Sequence, residues 1–450
     1  MKIPLSPPAF SDAARKLTPS QLNMEVGALA GGRYLHWDEL RHRAPPPGLT
    51  HDTWWAKLEL ARQAMRRPLP LYDKRNRPMA FATPDPVLHQ LHRIDQRAAG
   101  SVGMESPVAS GGDRNRYLVN SLIEEAITSS QLEGAATTRR EARAMLRSGR
   151  RPRDSSERMI LNNYHAMETI RDLRESELTP QRVMHLHRVV ADGTLDDPGA
   201  AGRLRTTKES IRVVDAGRAM VLHEPPPAAS LPKRLRRLCA FANAPTGSRP
   251  FVHPVIRAIL LHFMLGYDHP FVDGNGRTAR ALFYWSMARS GYWLMEYVSI
   301  SRLLRRAPAK YIRAYLHTET DANDATYFII HQLGIIERAI DALHEYLEHK
   351  AVEQRGVEEL LRHAPRLSSC LNHRQVALLG HALRRAGGAY TVESHRRSHR
   401  VTAQTARVDL QRLVELNLLQ QVKRSRAFWF YAPDDLRARI AGAAGLDGED

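Results

Sequence analysis

His269-Pro270-Phe271-Val272-Asp273-Gly274-Asn275-Gly276-Arg277-Thr278-Ala279-Arg280 gathers a candidate base, a carboxylate, two glycines around an amide and two arginines into one short run. The Asp-Gly-Asn-Gly segment interrupts a helix, and its glycines let backbone N–H groups approach a ligand with no β-carbon in the way. A helix restarts behind it and turns its free N–H groups and positive dipole end toward the same spot, which makes an anion hole. Arg277 and Arg280 lie three apart in the first turn of that helix, so both guanidinium groups are expected to project from one face toward the held anion. Three positive devices aimed at one point predict a polyphosphate site.

The segments on either side are helical. From Pro254 to Tyr267 the residues Ile256, Ile259, Leu260, Phe263, Met264 and Tyr267 form an apolar stripe, the mark of a core helix that delivers His269. A second helix leaves from Arg277 to Arg289 and stops at Gly291. Further upstream Leu118, Leu122, Ala126, Ser129 and Glu133 share one face of a helix that ends at Gly134. The carboxylate of Glu133 then sits at the negative end of a helix dipole, so it needs a cation, or it is a solvated surface glutamate. More helical patterns cover 138–146, 156–173, 179–192, 231–242, 308–318 and 325–349. Between them 210–214 and 218–222 read as a β-hairpin around Asp215-Ala216-Gly217, either a strand edge that holds an extended peptide or a plain flap.

The chain has 450 residues, room for more than one domain. Lys and Arg number 66 against 48 Asp and Glu, a formal charge of +18, and that surplus favours nucleotides or nucleic acid as partners. Cys239 and Cys370 are the two cysteines, which excludes a disulfide framework and a cysteine-based zinc site. No run is apolar enough to span a membrane, and a cytoplasmic location is expected. A Gly-x-x-x-x-Gly-Lys-Ser/Thr phosphate loop and a His-Glu-x-x-His zinc helix are both absent. An EF-hand reading of Asp273 onward fails where Arg277, Thr278 and Tyr284 replace ligand, glycine and closing glutamate.

The fold class is mainly α, and the chain divides into an N-terminal arm and helical lobe (1–113), a helical core with the hairpin flap (114–350), a linker (351–370) and a small C-terminal domain (371–450). Residues 99–114 read as a Gly/Ser-rich connector. In the last domain, helices at 374–385 and 391–400, a third capped by Thr402, and strands at 419–422 and 427–431 describe a winged helix-turn-helix. Ala406, Leu410, Leu413 and Val414 form its buried stripe. Gln404, Thr405, Arg407 and Gln411 are left for a DNA groove, and Arg396, Arg397, Arg400, Lys423, Arg424 and Arg426 for phosphates. A dimerisation or docking module with a solvated basic face is the other reading.

His269 through Arg280 resembles, at every specified position, the signature His-Pro-Phe-x-Asp/Glu-Gly-Asn-Gly-Arg-x-x-Arg of the Fic (filamentation induced by cAMP) family. Ser129-Ser130-Gln131-Leu132-Glu133-Gly134 is similar to that family's inhibitory motif, Ser/Thr-x-x-x-Glu-Gly/Asn, and it lies upstream of the signature, as in members whose inhibitory helix (here about 115–134) precedes the core. Tyr267-Asp268 departs from the aliphatic residue and His that usually precede the signature. The resemblance covers about residues 114–350, and a C-terminal winged helix occurs in some relatives.

It implies transfer of AMP from ATP to a Ser, Thr or Tyr hydroxyl of a target protein, or of the chain itself, with release of pyrophosphate. His269 would be the catalytic base and Asp273 the ligand of Mg²⁺. Gly274, Asn275, Gly276, Arg277 and Arg280 would hold the phosphates, and Glu133, with Ser129 and Gly134 in its motif, would pair with Arg280 and exclude the γ-phosphate. The hairpin would align the target. Two other readings are removal of AMP by the same site, and a DNA-binding regulator whose Fic domain senses nucleotide. A homodimer is compatible with all three.

Overall fold

The computed structural model describes residues 2–98, 111–215, 220–245, 247–362, 369–384, 388–424 and 427–445. Ala216, Gly217 and Arg218 of the expected hairpin, most of the 99–114 connector, Arg385, and Ser425 with Arg426 lie outside them. Among the described residues no helix is long and apolar enough to cross a membrane.

Three short helices, α1 (Phe10–Ala14), α2 (Pro19–Leu22) and α3 (Trp37–Leu40), lead into α4 (His51–Met65). A capping box on Thr50 starts α4, and Trp54 and Trp55 on it bury against Trp37 and Leu40. Strands β1 (Arg67–Tyr72) and β2 (Pro78–Phe81) pair antiparallel, followed by α5 (Asp85–Ala98). Leu69, Leu71, Met79, Phe81, Val87, Leu91 and Ile94 from this stretch belong to the main hydrophobic core. The arm's buried Arg62 donates to the Ala28 and Leu35 carbonyls and to Tyr327 Oη, each at 3.0 Å, with its guanidinium 3.9 Å from the Tyr34 ring centre. Residues 67–98 are therefore part of the core rather than a separate lobe.

The core helices are α6 (Gly111–Leu132), α7 (Arg139–Ser148), α8 (Ser155–Asp172) and α9 (Pro180–Ala191), then α10 (Leu231–Asn243), α11 (Pro254–Asp268) and α12 (Asn275–Arg289). The hairpin β3 (Val213–Asp215) with β4 (Met220–His223) falls between α9 and α10 and pairs antiparallel. Helix α6 starts at Gly111, inside the stretch expected to be a connector. Helix α11 is buried at every position but Gly266 and Pro254, because its apolar residues run around the whole circumference. Each such Leu, Ile or Phe contributes about 1.5–3 kcal/mol on burial. Helix α12 packs against α11 and is buried over most of its length, so the loop between them is anchored at both ends by the core.

Beyond it follow α13 (Ile300–Arg306), α14 (Pro308–Thr320) and α15 (Thr326–Arg362). Helix α15 runs through the first part of the segment expected to be a linker, since no Pro occurs between Thr326 and Arg362 to break it. The C-terminal unit consists of α16 (His373–Arg384), β5 (Ala389–Tyr390), α17 (Val392–His399), α18 (Ala403–Glu415), β6 (Gln420–Arg424), β7 (Ala427–Tyr431) and α19 (Leu436–Gly445). Its sheet has the order β5-β7-β6. Leu379, Leu410, Leu413, Phe430 and Ile440 form its own core. Buried Asp409 ties three of its segments together, accepting from Arg374 Nε (2.6 Å), Asn372 Nδ2 (2.8 Å) and His395 (3.1 Å). The expectation covers neither β5 nor α19, whose sequences are too short or too Ala/Gly-rich for a clear period. Helix α17 packs against α6 and α7.

Candidate active site

His269 ends α11 in the left-handed conformation, at φ 41°. A non-glycine residue is held there at a cost, and the strain turns its ring back toward its own helix. Nδ1 lies 2.6 Å from the Gly266 carbonyl, which can only accept, so Nδ1 carries the proton and Nε2 keeps its lone pair. Burial pulls the His269 pKa below its ordinary value, so the ring is neutral near pH 7. The backbone is held from outside the loop as well. Arg205 donates from its amide to the Pro270 carbonyl (2.8 Å), from Nε to the His269 carbonyl (2.8 Å) and from Nη2 to the Pro226 carbonyl (2.5 Å).

The loop closes on itself through Asn275. Its Oδ1 accepts from the Phe271 amide at 3.0 Å and its Nδ2 donates to the Phe271 carbonyl at 2.9 Å. The buried side-chain amide of Asn275 is thus engaged at both ends in shaping the loop. Phe271 is fully buried and stacks on the His187 ring, with centres 3.7 Å apart. His187 Nε2 donates to the Asp273 carbonyl (2.8 Å) and its Nδ1 accepts from the Gly202 amide (3.0 Å). Burial lowers its pKa to about 4, consistent with that neutral tautomer.

Gly274 caps α12 at φ 79°, which only glycine adopts cheaply. A β-carbon at Gly276 would fall on the Glu133 carboxylate, so that carboxylate sits against the first turn of α12, in the expected anion hole. Glu133 Oε1 accepts from Arg280 Nη2 at 2.8 Å. Ser129 completes the grip, with its Oγ 2.9 Å from Arg280 Nε and its carbonyl 3.1 Å from Nη2. Gly134, at φ 98°, ends α6 just beyond Glu133.

Arg277 does not join Arg280. Its buried guanidinium donates to the Val190 carbonyl (3.1 Å) and to Asp273 Oδ2 (3.2 Å), while Nε has no hydrogen-bond partner among the described residues. The two arginines are thus held by opposite neighbours, α9 and α6, and the predicted convergence fails because a spacing of three leaves each free to follow its own partner. Asp273 remains exposed, the single carboxylate of the loop open to solvent. No group of three or more His, Cys, Asp or Glu positioned for a metal occurs among the described residues. On the hairpin, His223 of β4 is held between the Tyr267 carbonyl and Glu319 Oε2, both at 2.7 Å, which joins the flap to the base of the loop.

With this geometry in view, the Fic/DOC family profile matches residues 177–287, the span from α9 through α12. The chain carries a Fic domain. The protein adenylyltransferase Fic of Drosophila grimshawi is 33% identical over 120 residues, 27% of this chain and 22% of that one. The Drosophila virilis protein of the same name is 34% identical over the same shares. This chain thus spans about a fifth of the length of the curated relatives it matches. A Fic family protein from Desulfovibrio desulfuricans G20 aligns with a TM-score of 0.47 at 19% identity, over 77% of this chain and 94% of that one. Fic-1 of C. elegans aligns at 0.46 and 21%, over 58% and 73%. His269, Asp273, Gly274, Gly276 and Arg280 all lie within the matched span, and Glu133 bonds to Arg280 from outside it.

In the C-terminal unit Gln404, Arg407 and Gln411 are exposed on α18. Thr405 is half-buried and its amide is spent on the Thr402 cap at 3.1 Å. Arg396 and Arg397 turn toward Glu393, and Arg397 also donates to the Leu146 carbonyl of α7 at 2.5 Å. Arg397 is therefore turned toward α7, whereas Lys423 on β6 is exposed.

Proposed function

We propose that the chain is a self-inhibited protein adenylyltransferase. The observation that carries this reading is the pairing of a neutral His269 with a free Nε2 and an anion hole filled by the chain's own Glu133. In the reaction the target hydroxyl gives its proton to His269 Nε2. Its oxygen attacks the α-phosphorus of ATP, and the bond to the β-phosphate breaks so that pyrophosphate leaves with the electron pair. The amides at the start of α12 and the Arg280 guanidinium stabilise the phosphate charge, once Glu133 has withdrawn.

Exposed Asp273 suits a hard cation that keeps several waters and bridges to substrate phosphates, and Mg²⁺ bound there would neutralise phosphate charge. The β3–β4 edge, tied through His223 to the Tyr267 carbonyl, is placed to hold the target's backbone by strand addition. The target is another protein or a second segment of this chain. The test is incubation with α-labelled ATP and Mg²⁺, comparing the native chain with Glu133→Gly and with Glu133→Gly/His269→Ala, followed by mass analysis of the modified peptide. Label in the single variant alone supports the reading, and equal label in all three sinks it.

For the C-terminal unit we read a winged helix-turn-helix that engages DNA. The exposed Gln404, Arg407 and Gln411 of α18 favour that reading. Salt-dependent binding of a DNA duplex, weakened by Arg407→Ala, tests it, and equal binding by the variant would count against it.

A further inference from the structure

A cleft of about 840 Å³ lies where the Fic domain meets the C-terminal unit, walled by α7, α8 and α17. We infer that it is a second nucleotide site, separate from the Fic loop, which takes a nucleoside polyphosphate. Its volume falls within the roughly 300–1,000 Å³ usual for small-molecule sites.

The rim is cationic. Seven arginines line it, including Arg150, Arg151 and Arg158 on the Fic side and Arg396, Arg397 and Arg400 from α17 and its cap, against a single lining carboxylate, Glu168. Internal pairing removes only part of that charge. Glu157 takes Arg150 at 2.5 Å, Glu393 is shared by Arg396 and Arg397, and Asp192 stands 3.7 Å from Arg158. Arg151 and Arg400 are exposed and bond no carboxylate among the described residues. Guanidinium forks at both walls of a cleft fit phosphate oxygens bidentately.

The floor is of the other kind. Val119 and Ile123 of α6, with Leu161 and Tyr164 of α8, give it an apolar surface that includes one aromatic ring. A simple anion such as sulfate would leave that floor unused. A ligand with a flat base at one end and phosphates at the other satisfies both halves. Such a ligand would also bridge α8 and α17, and so would hold the C-terminal unit against α6, the helix that carries Ser129 and ends just before Glu133. The inference does not depend on AMP transfer, because it concerns binding at arginines outside the Fic loop.

The experiment is calorimetric titration of the full chain with ATP, GTP and inorganic tripolyphosphate. It compares the native chain, Arg151→Glu/Arg400→Glu, the conservative Arg151→Lys/Arg400→Lys, and Arg280→Ala in the Fic loop. The expected result is an event with ATP or GTP that weakens by about tenfold or more in the Glu pair, survives in the Lys pair, and persists in Arg280→Ala. Tripolyphosphate should bind there more weakly than the nucleotides, for lack of a base. Both altered arginines are exposed, and a matching thermal melt shows that the variants fold. The inference is overturned if all nucleotide binding vanishes with Arg280→Ala, if the Glu pair binds as the native chain does, or if only a DNA duplex binds through Arg151 and Arg400.

Discussion

Glu133 Oε1 and Arg280 Nη2 stand 2.8 Å apart, and the same carboxylate covers Gly276 at the start of α12. One side chain therefore occupies both groups that the proposed function assigns to the phosphates. Hydrogen bonds to charged groups are worth about 1.5–3 kcal/mol, so Glu133→Gly should raise label from α-labelled ATP roughly ten- to hundredfold. ATP should also raise the melting temperature of the variant more than that of the native chain, because the ligand no longer competes with a carboxylate. Unchanged labelling would show that Glu133 is not the barrier.

In the Glu133→Gly background, His269→Ala should lower transfer by about 10²–10⁴, the usual worth of a positioned base. The pH profile carries the same signature. Burial lowers the His269 pKa, and the base works when neutral, so the rate should rise with pH and level off with a midpoint below the ordinary 6.5. A midpoint above 6.5 would mean that a different group takes the proton.

Asn275→Ala removes both bonds that close the loop and leaves the buried Phe271 amide and carbonyl without partners. The expected loss is about 2–4 kcal/mol in a urea titration, together with loss of transfer in the Glu133→Gly background. A variant as stable as the native chain would show that the Asn275–Phe271 bonds do not hold the loop.

His187 predicts a stability slope. Its folded pKa, about 4, lies below the unfolded value near 6.5, so the unfolded chain binds the extra proton between those values and stability rises with pH across that window. A pKa unit corresponds to about 1.4 kcal/mol, so the gap between native and His187→Gln should shrink by up to about 3 kcal/mol as pH falls from 7 to 4. Denaturant curves at several pH values measure it, and a constant gap would contradict the linkage.

The core helices were legible because their signals are local, whereas the Glu133–Arg280 pair was expected only from the family resemblance. The stripe from Ile256 to Tyr267 and the spacing from Leu118 to Glu133 repeat at the helical period, and the structure has helices at both places. The loop's supports were not legible. His187 acts on Asp273 across 86 residues and Arg205 on His269 across 64, and neither stands in a motif, so only folding brings them near. Asn275 and Arg277 were visible as residues but not as partners. Their bonds go to the Phe271 backbone and the Val190 carbonyl, groups that every residue possesses and that carry no mark in a sequence. Residues 67–98 belong to the N-terminal lobe of the sequence division, yet Leu69, Met79 and Phe81 lie in the main core.

The ring of bonds between Asn275 and Phe271 has a bearing on how the chain could change over generations. Since the loop is shaped before any nucleotide arrives, nothing has to be rebuilt when Glu133 leaves. A glutamate codon becomes a glycine codon by one base change, so on the proposed reading the route from a silent chain to an unrestrained one is a single step long. Restraint of this kind is easily lost by mutation, and whatever retains Glu133 must act against that drift.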